Sequence, residues 1–285
     1  MHLNTLQITE IDQDVIEDMV DQALLEDIES GDINALLIDE DEQVQAKVIT
    51  REDMVLCGKE WVLEVYRQVD PEVTLHWHYQ DGDQVKANET LFEVEGLARG
   101  ILTAERTALN FLQMLSAVAT KTQHYVAALK NYKTKILDTR KTIPGFRLAE
   151  KYAVSCGGGV NHRIGLFDAF LIKENHIAAC GHSISQAVAK ARAIGKDKLI
   201  EVEVENFDEL NEAIEAKCDV IMLDNFSLQD MAKAVKLVDG KAELEASGNM
   251  TFEQLEDVAK TGVDYISTGG LTKHIQAIDL SMRFI

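Results

Sequence analysis

Apolar positions recur at helical spacing near the start of the chain. Val15, Ile16, Met19, Val20, Ala23 and Leu24 fall on one face of residues 12–29, with carboxylates between them. This predicts an acidic amphipathic helix with a solvated outer face. The period then shortens to two. Residues 44–50 and 73–79 alternate as strands do, and 59–69 returns to helical spacing between them. Asp81-Gly82, ahead of residues 91–96, predicts a hairpin. Its likeness to a lipoyl or biotinyl carrier is weak, because Lys86 lies inside the strand-like run rather than at a tight turn. A long amphipathic helix is predicted from about residue 104 to about 130.

Beyond that helix the rhythm changes again. Short apolar runs at 135–139, 169–173, 198–204, 219–223, 241–246 and 263–267 alternate with helical segments at 185–194, 207–216, 228–238 and 252–260. Regular strand–helix alternation predicts a parallel sheet. About six units are visible, too few for an eight-unit barrel. The expectation is an incomplete, open α/β barrel, with a doubly wound sheet as the alternative.

Parallel β/α folds bind ligands at the carboxyl ends of their strands. The residues closing the runs are therefore candidates: Thr139-Arg140-Lys141, Lys173, Glu203, Asp224, residues 245–249 and residues 267–270. Nearly every run ends in a charged or hydrogen-bonding group. Glu203 and Asp224 close successive strands and would be neighbours on one rim. Such a pair can hold a divalent metal, act as acid and base, or stabilise a positive transition state. It can equally be salt-bridged to rim lysines. Ser267-Thr268-Gly269-Gly270 precedes a helix after a late strand, where barrels often place phosphate.

Composition alters this picture through its charge. The chain carries a formal charge of −21, which argues against nucleic acid or an anionic membrane surface as partner. Yet residues 138–174 hold six basic residues against four acidic ones. Arg147 and Lys151 in that window suit an exposed helix face. Arg140, Lys141, Arg163 and Lys173, with His162 beside them, instead suggest a ligand with several negative groups. Thr103 is placed to cap a helix, which puts Arg106 in a first turn where the macrodipole disfavours a cation by roughly 0.3–1 kcal/mol. No apolar run is long enough to span a membrane, and the first residues lack a signal-peptide pattern. The four cysteines are scattered, without a Cys-x-x-Cys pair, so neither a disulfide framework nor a metal cluster is expected. A cytoplasmic enzyme fits. A barrel aldolase or decarboxylase forming a Schiff base on Lys141 or Lys173 is the rival chemistry.

Several blocks together resemble the quinolinate phosphoribosyltransferase family. They are residues 102–110 (LTAERTALN), 138–145 (DTRKTIPG), 156–163 (CGGGVNHR), 171–176 (LIKENH), 201–205 (EVEVE), 222–225 (MLDN) and 245–249 (EASGN). Leu97 and Gly270 depart from the family pattern without removing a charge. The resemblance implies an α/β fold. Residues 1–116 would form an N-terminal α/β sandwich domain and 117–270 an incomplete barrel of about six or seven strands. Residues 271–285 would form a C-terminal helix packing back on the first domain.

The same resemblance implies reaction of quinolinate with phosphoribosyl pyrophosphate, giving nicotinate mononucleotide, pyrophosphate and carbon dioxide, with Mg²⁺. Arg140, His162, Arg163 and Lys173 would hold quinolinate, with Thr139 and Lys141 beside them. Glu203 and Asp224 would face the ribose and the Mg²⁺. Ser247, Gly248 and Asn249, with Thr268, Gly269 and Gly270, would take the phosphate end. Lys141, Lys173, Glu203 and Asp224 would be the catalytic set. A homodimer is implied, with Arg106 reaching the neighbouring subunit's site.

Overall fold

The computed structural model describes residues 3–248 and 250–285. Its first part runs α1 (Gln13–Ile28), β1 (Gln43–Thr50), β2 (Met54–Val55), α2 (Lys59–Val69), β3 (Thr74–Trp77), β4 (Gln84–Val85), β5 (Thr90–Leu97) and α3 (Ala98–Ala128). There follow β6 (Lys135–Leu137), α4 (Arg147–Cys156), β7 (Ala169–Ile172), α5 (Glu174–Ala179), α6 (Ile184–Ile194), β8 (Leu199–Val204) and α7 (Phe207–Ala216). The chain ends with β9 (Val220–Asp224), α8 (Leu228–Val238), β10 (Glu243–Ser247), α9 (Leu255–Lys260), β11 (Tyr265–Ser267), α10 (Gly270–Lys273) and β12 (Leu280–Phe284).

Two compact units emerge, each assembled from three chain segments. One comprises Ile8–Gln123, Ile143–Gly158 and His274–Ile285. Its antiparallel sheet has the order β12-β1-β5-β3, and alternate residues of β1 (Ala46, Val48, Thr50) are buried. Trp61, Val62, Val65 and Tyr66 supply the buried stripe of α2.

Four expectations are corrected here. Residues 84–85 pair with β2 rather than with β5, so the antiparallel pair joined through Asp81-Gly82 is β3 with β5, and β5 lies between β1 and β3. The C-terminal segment is not a helix beyond the single turn of α10. It is the strand β12, paired with β1 from Ala46↔Phe284 to Thr50↔Leu280, because Leu280–Phe284 completes an otherwise open sheet edge. Helix α3 begins at Ala98, so Arg106 lies in its interior and the macrodipole argument fails. Thr103 caps nothing, since its hydroxyl donates to Asp32 Oδ2 at 2.8 Å. Lys151 is wholly buried rather than on a helix surface.

The other unit comprises the chain up to Gln7, His124–Thr142 and Gly159–Lys273. Its six strands are all parallel, in the order β6-β11-β10-β9-β8-β7. Spatial neighbours are thus sequence neighbours, except for the pair β6 and β11; β6 and β7, consecutive in sequence, are the two ends of the sheet. That is the order of a barrel opened at one seam, whereas a doubly wound sheet would reverse direction at a switch point. Ser183, Asn206 and Ser227 cap the N-termini of α6, α7 and α8 with their side chains.

Strand register stacks the inward residues in layers. Leu137, Ala169, Leu199, Val220 and Tyr265 form the apolar floor, filled by fully buried Leu3. Two residues further along the strands come Leu171, Glu201, Met222, Glu245 and Ser267. Lys173, Glu203, Asp224 and Ser247 follow at the carboxyl ends. Polarity rises layer by layer toward the rim.

Candidate active site

A cavity of about 330 Å³ opens at the carboxyl ends of the barrel strands. It is lined by Thr139, Arg140, Lys141, His162, Arg163, Leu171, Lys173, Met222, Glu245, Ser247 and Ser267. The cation set expected from sequence is therefore brought together. Arg140 Nε is buried and has no hydrogen-bond partner among the described residues, so it suits an acceptor from a ligand. Arg163 lies below its ordinary guanidinium range, first because burial disfavours its charge and next because Arg140 repels it. Among its contacts is the Ala169 carbonyl, at 3.4 Å. Two neighbouring guanidinium groups in a small hollow form a receptor for a planar anion.

The loop carrying His162 and Arg163 is fastened from below. Buried Asp138, just past β6, accepts from Asn161 Nδ2 at 2.7 Å and from the His162 backbone N–H at 2.8 Å. Asp168 accepts from the N–H groups of Ile164 and Gly165, at 2.7 and 2.9 Å. These bonds fix two site residues on a segment that has no regular structure of its own.

Sequence reasoning named Glu245 only as part of a strand end and missed its buried grouping with Glu201 and His162 beneath the cations. His162 Nε2 is 2.8 Å from Glu201 and 3.4 Å from Glu245, with all three side chains buried. Burial opposes the His162 charge, but Glu201 and then Glu245 outweigh it and raise His162 to about 10. Burial, with the Glu245 charge, pushes Glu201 up to about 7 against the pull of His162. Glu245 is held below its ordinary value, with His162 and the Ser267 hydroxyl overcoming burial. The Arg163 N–H donates to His162 Nδ1 at 2.7 Å, so that nitrogen acts as an acceptor. The signal was present in the alternation Glu201-Val202-Glu203: a strand that sends Glu203 inward sends Glu201 inward too.

At the rim, Lys173 Nζ is bonded to Glu203, whose side chain is only 10% exposed. Asp224 ends β9 in register with Ser247, and its Oδ2 accepts from Asn225 Nδ2 at 2.8 Å. Gly248 has φ +106°, and a Cβ there would meet Asn225 Oδ1 at 2.5 Å, so only glycine fits. A second cavity, of about 350 Å³, is lined by Ser247, Gly248, Asn225 and Gln254 among others. Ser247 borders both hollows. Glu203 and Asp224 do not line the first cavity; they flank it.

The expected phosphate set divides. Ser247 and Gly248 border the second cavity, and Asn249 lies outside the described residues. Thr268 uses its hydroxyl to accept the Gly270 N–H at 3.1 Å. Gly269 packs beneath Lys141, and an added Cβ would approach Lys141 Cδ to 2.7 Å. Thr272 Oγ1 donates to the Lys141 carbonyl at 2.7 Å, and Thr139 Oγ1 accepts its N–H at 3.1 Å. This segment thus positions Lys141. Arg106 is on α3 in the other unit, its side chain 61% exposed and 3.9 Å from Glu105.

Residues 27–116 match the N-terminal domain of quinolinate phosphoribosyl transferase, and residues 118–283 its C-terminal domain. The chain belongs to the quinolinate phosphoribosyltransferase family. A probable nicotinate-nucleotide pyrophosphorylase (carboxylating) of Bacillus subtilis is 41% identical over 94% of this chain and 92% of its own. The Mycobacterium leprae nicotinate-nucleotide pyrophosphorylase (carboxylating) is 38% identical over 96% and 99%. The solved nicotinate-nucleotide pyrophosphorylase of Francisella tularensis superposes with a TM-score of 0.94 at 54% identity, covering 98% and 99% of the two chains. Quinolinate phosphoribosyltransferase membership thus extends over both units.

Proposed function

We propose that this chain is a decarboxylating quinolinate phosphoribosyltransferase. It joins quinolinate to phosphoribosyl pyrophosphate and releases nicotinate mononucleotide, pyrophosphate and carbon dioxide, a step of NAD biosynthesis. The observation that carries this reading is the single hollow into which Arg140, Lys141, His162, Arg163 and Lys173 converge within a −21 chain. A pyridine dicarboxylate matches both its charge and its two-pronged shape.

The residues divide the work. Arg140 and Arg163 grip one carboxylate through charge-assisted hydrogen bonds, and Lys173 with Lys141 faces the other. Apolar Leu171 and Met222 offer a surface for the ring. The ring nitrogen attacks C1′ of the ribose as pyrophosphate departs. Glu203 and Asp224 stabilise the positive charge that develops on the sugar. Once alkylated, the pyridinium withdraws electrons from the adjacent carbon, so its carboxylate leaves as carbon dioxide and the ring carbon takes a proton. Ser247 and Gly248, at the edge of the second hollow, suit the ribose phosphate.

Glu203 and Asp224 offer only oxygen donors at adjoining strand ends, a set suited to Mg²⁺ held partly through water and substrate phosphates. They would hold that ion, which when bound neutralises charge on the departing pyrophosphate.

A homodimer in the cytoplasm completes the reading, with Arg106 serving the neighbouring subunit's site. Its support is the exposed Arg106 and the strongly exposed Ile33 (80%), Leu36 (73%) and Leu37 (85%) of the same unit. Among the described residues no helix is long and apolar enough to cross a membrane.

Incubation with carboxyl-labelled quinolinate tests the reaction. Labelled carbon dioxide should appear only when phosphoribosyl pyrophosphate is present. Equal turnover of nicotinate would move the assignment to a sister transferase, and borohydride trapping of a lysine adduct would favour the Schiff-base rival.

A further inference from the structure

Folding undoes one expectation about the cysteines. Cys57 and Cys156 are far apart in sequence, yet their Sγ atoms and a carboxylate oxygen of Asp81 all lie within 4.8 Å of one another. The two thiols are hydrogen-bond neighbours. All three residues belong to the antiparallel-sheet unit, whereas the cation-lined hollow belongs to the barrel unit.

Each donor is held by its own backbone. Cys57 stands one residue before Gly58, the N-cap of α2; its N–H donates to Ser116 Oγ at 3.0 Å, and its carbonyl accepts from the same hydroxyl at 3.1 Å. Cys156 is the last residue of α4, and Gly157 after it leaves no room for a Cβ, which would meet the Ala119 carbonyl oxygen at 2.4 Å. Asp81 accepts from the Gly58 and Lys59 N–H groups at 3.1 Å, and from Tyr152 Oη at 3.0 Å. The phenol also neighbours Cys156. Cys57 is fully buried, and Asp81 and Cys156 are partly buried. A half-dry pocket thus holds two sulfurs and a carboxylate oriented by a phenol, the second-sphere arrangement that positions metal ligands.

We propose that Cys57, Asp81 and Cys156 form a three-ligand binding site for a borderline-soft divalent cation, zinc in the first instance. Tetrahedral zinc with sulfur and oxygen ligands needs donor–donor separations of about 3.5–4 Å, so donors already this close require only a small contraction. Two thiolates select zinc over magnesium. On binding, both thiols release their protons to solvent, and two sulfur–metal bonds and one oxygen–metal bond form with no change of oxidation state. Water takes the fourth position. The ion ties the start of α2, the Asp81-Gly82 turn and the end of α4 to one point.

The test uses the full-length chain, purified under reducing conditions without chelator. Titration with zinc chloride, then desalting and elemental analysis, should leave one zinc per chain. Cadmium chloride should produce the ultraviolet thiolate-to-cadmium charge-transfer band. Cys156→Ser and Asp81→Asn should each lose the retained zinc, and Cys156→Ser the cadmium band, while both keep wild-type helix content by circular dichroism. Zinc should raise the thermal midpoint of wild type but not of Cys156→Ser. Wild-type protein that retains no zinc and gives no cadmium band overturns the proposal, as does a mass two hydrogens lighter under these conditions, which marks a disulfide. Equal zinc retention by Cys156→Ser also overturns it. None of these readouts depends on transferase activity.

Discussion

His162 Nε2 and the Glu201 carboxylate meet at 2.8 Å in the middle layer of the barrel, both shut away from water. Each holds its proton more tightly in the folded chain than in the unfolded one. Between its ordinary 4.5 and about 7, folded Glu201 keeps a proton that the unfolded carboxyl has lost, so its contribution falls as pH rises through that window. For His162 the stabilisation is complete below 6.5 and disappears as pH climbs to about 10. Wild type should therefore lose thermal stability on the alkaline side faster than His162→Asn, with the two curves converging toward pH 10. Parallel curves would show that the pair is not linked to folding. Glu201→Ala, which leaves the buried imidazole with Glu245 at 3.4 Å as its remaining carboxylate, should cost about 3–5 kcal/mol in denaturant unfolding.

The unpartnered Arg140 Nε makes a second prediction. A charge-assisted hydrogen bond contributes roughly 1.5–3 kcal/mol, so Arg140→Ala should raise the quinolinate KM by about one to two orders of magnitude. Stability should hold or improve, because Arg163 loses a repulsive neighbour. An unchanged quinolinate KM would remove Arg140 from the recognition set.

Much of this was legible in the chain itself, for identifiable reasons. Helices α2, α7 and α8 follow the apolar spacing residue for residue, because each lays one stripe on a sheet. The cations at the strand ends were legible because like charges do not gather without an anion to hold. The pairing of β12 with β1 was not, since partner choice between distant strands depends on which edge stays open rather than on local pattern. Leu3 is another case: one apolar residue ahead of the first helix says nothing of plugging a barrel floor formed by residues 137–265. Glu201 was overlooked, and Glu245 was named only as the start of a strand-end segment, because a carboxylate inside an apolar run is ordinarily exposed, and only the barrel's inward face makes it otherwise.

Gly269 tests whether Lys141 is positioned from below. An alanine Cβ would come within 2.7 Å of Lys141 Cδ and 3.2 Å of its Cβ, forcing the side chain aside. The obstacle is flexible, so Gly269→Ala should unfold within about 1 kcal/mol of wild type. Its kcat/KM should nonetheless drop by an order of magnitude or more, since small displacements of a charged group are costly in a site. Full activity would mean that Lys141 does not need this path.

Arg106 decides the question of a shared site. If it serves the neighbouring subunit, Arg106→Ala and Lys173→Ala should each be nearly inactive alone. Mixed through reversible unfolding, half of the dimers are hybrids. In each hybrid one site lacks both groups, while the other has an intact lysine from one chain and an intact arginine from its partner. Activity should return to about a quarter of wild type. A shared site requires this recovery, because no single chain in the mixture carries both residues. If Arg106 instead acts within its own chain, every site in the mixture keeps one lesion and no activity returns.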